Sequence, residues 1–402
     1  MRRTILTLAA AGVLLAGVLP DLAHAIPAFA RRHKLSCTAC HDPFPRLKPF
    51  GEEFAGNGFW LPEDDNDRDY VNTGDELLRL NRTFPIAARM DLWLQAESDA
   101  DVSTDMQTPW GLKLLSGGLL AKNVGYYFYF YMSERGEVAG VEDAYVHFND
   151  VFGRPLDIMV GQFQTSDPLM KRELRLTFED YEAYKTRVGD SHINLTYDRG
   201  VMVPYTIAAT GTDLVGMVVN GNGAPAAENH DFDRDKYKNY GARLIQAVGE
   251  LGAVGGFGYW GKEQLVDGAV TSVNEVTYYG VDANVDVNGY VALTGQWLTR
   301  EDSSPLLADP ARADVKTTGL VAELIIAPRR DRSSHYLTLL YNKVDCDLTA
   351  HDYESYTAGV TYMMAHNLRL NAEYTLLAKN GDPAVTGIDN NSRISLGVIG
   401  GF

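Results

Sequence analysis

Cysteine, tryptophan and basic side chains are all scarce in this 402-residue chain, which has 3 Cys, 5 Trp and 36 Lys and Arg against 53 Asp and Glu. Three cysteines cannot build the dense disulfide framework that staples small exported domains. A formal net charge of −17 argues against nucleic acid as a partner and favours the attraction of small cations. Long apolar runs are missing after residue 25, where no stretch approaches the roughly 18 apolar residues of a membrane-spanning helix. A nucleophile elbow, a phosphate-binding glycine loop and a metalloprotease motif are absent too, so the common hydrolytic chemistries have no support.

The N-terminus supplies the one long apolar run. Arg2 and Arg3 precede an apolar stretch from Ile5 to Leu19, and Ala23-His24-Ala25 forms an A-x-A cleavage site. That pattern predicts an export signal over 1–25 and a mature chain beginning at Ile26. The 38 Gly and 22 Tyr point to β architecture. Period-2 alternation bears this out: in 277–287, Val281, Ala283, Val285 and Val287 share one face and Asp282, Asn284 and Asp286 the other, as a wall between lipid and a watery lumen requires. Similar segments recur near 82–96, 111–133, 141–149, 155–163, 191–220, 238–262, 288–299, 314–327, 334–344, 354–378 and 391–402.

Split at their turns, these segments predict an all-β transmembrane barrel of about 16 antiparallel strands, each about 9–12 residues long, ending on Phe402. A soluble sandwich would also alternate but does not need so many strands. Short turns at Asn288-Gly289, His366-Asn367 and Glu250-Leu251-Gly252 alternate with longer polar segments at 221–236, 262–271, 300–313, 345–352 and 379–390, as periplasmic turns and extracellular loops do. The longest insert, Thr165 to Gly189, carries Lys171, Arg172, Glu173, Arg175, Glu179, Asp180, Glu182 and Lys185. Its spacing of Leu169, Glu173 and Leu176 permits a short amphipathic helix, and the segment is expected either to narrow the lumen or to lie outside as a salt-bridged loop.

Ahead of the strands, 26–60 forms a separate segment and 61–79 an acidic connector to a barrel over 80–402. Within 26–60, Cys37-Thr38-Ala39-Cys40-His41 is a C-x-x-C-H motif. Two thiols at this spacing each form a thioether to one vinyl group of a single haem c, and the adjacent His41 is placed to ligate its iron. Zinc is the competitor, but it would want a fourth ligand, and none lies nearby beyond His33. His33 is a candidate sixth ligand or propionate partner; Met90, Met132 and His147 on the barrel are others. Phe44, Leu47, Phe50 and Phe54 fall at helical spacing and offer an apolar face, with Asn57-Gly58 as a left-handed cap. About 35 residues are too few for an independent core, so the segment should lean on the barrel lumen.

In the connector, Asp65, Asp67, Asp69, Val71, Thr73 and Glu76 follow EF-hand spacing, but Tyr70 replaces the glycine required at position 6, so a solvated linker is expected. Cys346, in Val344-Asp345-Cys346-Asp347, is expected to pack at a strand end; a reactive thiol is the other reading.

The order of export signal, Ala28-Phe29-Ala30-Arg31-Arg32-His33-Lys34-Leu35-Ser36 leading into the C-x-x-C-H motif, a P-x-L-x-x-F-G-x-x-F-x-x-N-G-F pattern from Pro45 to Phe59, and then a barrel resembles the outer-membrane fused monohaem cytochrome–porin family. The segments 141–148 and 194–200 look like those of other haem-bearing porins in extracellular electron transfer. The resemblance maps Cys37, Cys40 and His41 onto the haem motif. It implies a Gram-negative outer-membrane protein passing single electrons between extracellular ferrous iron, or another small redox partner, and a periplasmic cytochrome or other carrier. On that reading it is a possible iron:cytochrome oxidoreductase. Two other roles stay open: a diffusion porin with the haem as a structural plug, and the barrel of a multihaem conduit.

Overall fold

The computed structural model describes residues 28–402 apart from 60, 62–69, 76, 79, 83, 99–102, 167–168, 269, 310–313 and 390. The export signal, and with it Asp65, Asp67, Asp69 and Glu76 of the EF-hand reading, lies outside the described residues. Three short helices come first: α1 (Ala28–His33), α2 (Cys37–Cys40) and α3 (Pro49–Gly56). A two-stranded ribbon of β1 (Tyr70–Val71) and β2 (Leu80–Asn81) lies within and just beyond the connector. Arg32 of α1 holds this ribbon, donating to the Tyr70 hydroxyl at 2.7 Å and to Asn81 Oδ1 at 3.2 Å.

Sixteen strands then close into one antiparallel barrel. They are β3 (Ile86–Glu97), β4 (Thr104–Ala121), β5 (Val124–Glu134), β6 (Gly140–Phe148), β7 (Ile158–Gln164), β8 (Tyr197–Ile207), β9 (Thr212–Val219), β10 (Asn239–Ala247), β11 (Gly252–Asp267) and β12 (Val270–Val287). The last six are β13 (Val291–Asp302), β14 (Val315–Ile326), β15 (His335–Cys346), β16 (Tyr353–Ala365), β17 (Leu368–Asn380) and β18 (Arg393–Gly401). Each strand pairs with its neighbour in the chain, and β18 closes on β3 with Arg393 opposite Glu97 and Gly401 opposite Arg89. Closure is what lipid demands, because an unpaired backbone group in hydrocarbon costs several kcal/mol.

The wall is apolar outside and polar inside. On β18, Ile394, Leu396 and Val398 are exposed while Ser395 between them is buried; on β16, Tyr356, Val360 and Tyr362 face out while Ser355, Thr357 and Thr361 face in. An exposed apolar face backed by a buried polar one is the membrane-barrel pattern. Exposed aromatics mark both ends of the apolar band, with Tyr240, Trp260 and Tyr356 near one rim and Tyr205, Tyr290 and Tyr362 near the other.

Short turns cluster at one rim. Asn288 and Gly289 take positive φ (52° and 73°), the conformation that matches strand twist in a tight hairpin. The strands run from 7 residues in β7 to 18 in β4 and β12, a wider range than alternation suggested. The segment 262–271, expected as a polar loop, instead continues β11 and β12 as a paired ribbon, because Val266, Val270 and Val273 sustain the strand preference past the band.

The charged insert between β7 and β8 enters the lumen, which settles the choice left open by its sequence. Asn371 Nδ2 donates to the Leu176 carbonyl at 2.6 Å, Asn342 Nδ2 to the Asp180 carbonyl at 2.8 Å, and the Glu373 carboxylate accepts from the Phe178 amide at 2.7 Å. Polar wall side chains thus replace water for the insert's backbone. Among its described residues the insert forms a 3-10 turn at Arg172–Leu174 and one helical turn, α4 (Glu182–Lys185), in place of the amphipathic helix its spacing permits. Fixing the insert to the wall on several sides leaves it no free face to wind around.

Candidate cofactor site

The N-terminal segment sits inside the barrel at the short-turn rim. Arg31 donates to the Ile86 carbonyl at 2.8 Å, Asn149 Nδ2 to the Asn57 carbonyl at 2.9 Å, and the Tyr336 hydroxyl to the Asp42 carboxylate at 2.8 Å. An aromatic ladder does the apolar docking: Phe54 meets Phe29 edge-on at 5.4 Å, Phe29 stacks on Phe59 at 4.9 Å, and Phe59 stacks on Tyr127 of β5 at 4.6 Å. Each such pair contributes about 1 kcal/mol beyond area burial. The end of α3 approaches the wall so closely that a Cβ on Gly125 would stand 2.6 Å from the Gly58 carbonyl oxygen, and Gly58 itself takes the left-handed cap (φ 67°).

Between segment and wall lies a mostly apolar cavity of about 230 Å³. The segment contributes His33, Cys37, Cys40, His41, Leu47 and Phe54; the barrel contributes Ala87, Leu115, Tyr127 and Tyr145. Both motif thiols and the motif imidazole therefore open on one greasy space that neither part could enclose alone.

The local fold fixes the orientation of the His41 ring. Ser36 caps α2, its hydroxyl accepting from the Thr38 amide at 3.4 Å, and the His41 amide donates to the Cys37 carbonyl at 2.9 Å, which fixes the imidazole beside the thiols. His41 Nδ1 lies 2.8 Å from the Pro45 carbonyl and 3.3 Å from that of Arg46. A carbonyl only accepts, so Nδ1 carries the proton and Nε2 keeps its lone pair, the arrangement that orients metal-bound histidines. Burial pushes the His41 imidazole below its ordinary value, which keeps it neutral, although the two carbonyls oppose this. Burial likewise raises the Cys37 and Cys40 thiols.

Of the sixth-ligand candidates, His33 alone shares the cavity: it is 8 % exposed and packs edge-on against Phe54 at 5.3 Å. Met90 and Met132 point outward, 38 % and 42 % exposed, because each occupies the lipid-facing phase of its strand. His147 is buried in the lumen, 3.6 Å from Asp157, but does not line the cavity. The helical face expected from Phe44, Leu47, Phe50 and Phe54 does not form as one surface. Pro43, Pro45 and Pro49 break the register, so α3 starts only at Pro49; Phe44 and Leu47 reach the cavity from the preceding turn, and Phe50 is exposed.

The zinc reading finds no support in the geometry: among the described residues no three His, Cys, Asp or Glu side chains gather as a metal site. Cys346 ends β15, 6 % exposed, its sulfur accepting from the Thr317 hydroxyl at 3.1 Å, a packed thiol as its sequence position suggested.

Above the cavity the insert crosses the lumen. Glu173 Oε2 accepts from Lys113 at 3.1 Å, from Tyr129 at 3.1 Å and from Tyr131 at 3.0 Å. Burial alone would raise the Glu173 carboxyl, but Lys113, Arg175 and Arg172 outweigh it and hold it at about 2. In the sequence Glu173 is one charge in a run, and Tyr129 and Tyr131, on the inward phase of β5, are the signal that the run has partners. Beyond this diaphragm opens a vestibule of about 1190 Å³, with Glu97, Asp105, Glu134, Glu137 and Asp389 among its lining residues.

No protein-family profile and no curated protein matches this sequence. Solved structures do match the barrel. An anion-selective porin from Comamonas acidovorans superposes with a TM-score of 0.58 at 10% identity over 80% of this chain and 99% of that one. OmpF of Salmonella typhi, solved with daunomycin, gives 0.56 at 12% identity over 81% and 98%. OmpT of Vibrio cholerae in a trimer form gives 0.55 at 13% identity over 80% and 99%. At these identities the likeness speaks for fold alone. Taken with its lipid-facing wall, the chain is a 16-stranded porin-like β-barrel of the outer membrane.

Proposed function

We propose that this barrel carries one covalent haem c in the cavity at its short-turn mouth and passes single electrons between a small extracellular redox partner and a periplasmic carrier. The observation that carries the proposal is the convergence of Cys37, Cys40 and a His41 with a free Nε2 lone pair on one apolar cavity completed by the barrel. A haem bound there would supply reversible one-electron chemistry at its iron. Cys37 and Cys40 would hold it by thioether bonds, and His41 would ligate through Nε2 while Pro45 fixes the ring. His33 is the side chain of this chain placed to approach from elsewhere in the cavity. Leu47, Phe54, Leu115 and Tyr127 exclude water, and the Glu173 network separates this dry space from the vestibule. Ferrous iron is the favoured donor, on the family resemblance and on the vestibule carboxylates, which concentrate cations.

Stopped-flow mixing of the purified protein with ferrous iron tests this reading: the haem spectrum is expected to become reduced, and a haem that stays oxidised at neutral pH contradicts it. A second reading, a diffusion porin whose haem is a structural plug, is favoured by the porin fold. Solute flux into proteoliposomes above the protein-free background would support that one, and a sealed lumen would exclude it. Co-purification with multihaem proteins would favour the barrel of a larger conduit.

A further inference from the structure

Arg369, on the inner face of β17, is 1 % exposed and stands where the N-terminal segment meets the wall, its Nη1 donating to the Phe44 carbonyl at 3.2 Å. Its Nε is buried with no hydrogen-bond partner. Other buried cations of the lumen have a carboxylate each: Arg300 has Asp302 at 2.6 Å, Arg243 has Asp282, and Arg393 has Glu179. Among the described residues Arg369 forms no ion pair. Asp91 and Glu373 act on it only from beyond ion-pair distance, and burying a charge without a direct partner costs several kcal/mol, so this position calls for an anion.

Beside it is a cleft of about 20 Å³ lined by Arg89, Asp91, Lys113, Glu173, Arg175 and Arg369 among others. Four of these six are cations and two are anions; Asp91 serves both Arg89 and Lys113, and the Asp180 that Arg175 reaches is shared with Arg172. The space suits one small group rather than a solute. Arg89 and Glu173 line both this cleft and the apolar cavity, so the two adjoin.

We propose that the cleft beside Arg369 binds a single monovalent anion. The same chemistry has two sources: a propionate carboxylate of a haem in the adjoining cavity, or a small free anion such as chloride. Only the first rests on the proposed function. With a haem in the adjoining cavity, a nearby cation would disfavour the ferric state, which carries one more positive charge, so Arg369 would raise the reduction potential until an anion offset it.

The test compares full-length wild type, Arg369→Gln and Arg369→Lys in detergent, with chloride exchanged for gluconate at constant ionic strength. If a propionate fills the cleft, the wild-type midpoint potential is the same in both salts. Arg369→Gln then lowers the potential and shifts the propionate bending band in resonance Raman, while Arg369→Lys restores most of both. If chloride fills it, the wild-type potential falls as chloride replaces gluconate, and Arg369→Gln loses that response. A potential, Raman band and chloride response all unchanged in Arg369→Gln overturn the proposal. Should Arg369→Gln fail to fold, Arg369→Met carries the comparison with the same expected changes, and a variant that matches wild type in all three readouts overturns the proposal. Should the protein carry no covalent haem, the proposed function fails by itself. Chloride then has to raise the unfolding temperature of the wild-type barrel and not that of Arg369→Gln, and an unresponsive wild type overturns the anion site.

Discussion

The lumen is filled from two directions by two kinds of chemistry. The N-terminal segment enters at the short-turn rim and docks through Phe29, Phe54 and Phe59 against Tyr127, with few hydrogen bonds and a backbone contact at Gly125. The insert between β7 and β8 descends from the other side and is held by charge, with Glu173 and Glu179 answered by Lys113 and Arg393 of the wall and Asp180 by the insert's own Arg172. The first arrangement makes a mostly apolar cavity lined by the motif residues; the second makes a charged, hydrogen-bonded partition within the lumen. The difference shows how one porin-like wall receives two plugs of opposite chemistry, one lining an apolar cavity and the other crossing the lumen as a polar network.

Replacing both motif thiols, Cys37→Ser with Cys40→Ser, should break one plug chemically and leave the other intact. The expected outcome is complete loss of haem staining on denaturing gels with the heat-resistant barrel band unchanged. Next in size, Glu173→Gln removes the charge shared by Lys113, Tyr129 and Tyr131 and leaves a buried ammonium short of a partner, an effect of about 3 kcal/mol. Planar-bilayer conductance should rise while haem content stays the same; a conductance equal to wild type would remove Glu173 from the partition.

The same contact sets a pH dependence. Because the folded Glu173 carboxyl sits at about 2, below its unfolded value, its contribution is fully present above about pH 4.5. It should be lost as pH falls from there towards 2. Conductance should therefore stay low at pH 5 and climb below pH 4. A smaller effect, about 1–3 kcal/mol of overpacking, is expected from Gly125→Val, which forces the Gly58 carbonyl off the wall. Limited proteolysis should then cut the N-terminal segment faster without opening the partition. Cys346→Ser, at a packed strand end beside Val188 at the C-terminal end of the insert, should cost no more than about 1 kcal/mol and leave haem content unchanged.

Much of the barrel was legible from sequence because alternation has a period of two, and a wall between lipid and water cannot hide it. The turn at Asn288-Gly289 and the strand phases of 354–378 and 391–402 follow directly from residue order. The insert was not legible in the same way: a run of charges reads alike in bulk water and in a polar lumen, and only the wall residues that receive it, such as Asn371 and Glu373, tell the two apart. At the cofactor site the motif named its own residues, but helical counting across Pro43, Pro45 and Pro49 joined side chains that the backbone keeps apart. His33 was visible as a candidate four residues before Cys37, yet only the fold of α1 against Phe54 brings it to the cavity. Arg369 has a sequence signal of its own: in Leu368-Arg369-Leu370-Asn371 it shares the inward phase with Asn371.

The central claim is that Cys37 and Cys40 are spent on a cofactor inside the barrel. Thiol alkylation of the purified, denatured full-length protein, read by mass spectrometry alongside a pyridine haemochrome spectrum, tests it most directly. The account predicts alkylation at Cys346 alone and one thioether-linked haem per chain; alkylation at all three cysteines, with no haemochrome, would contradict it.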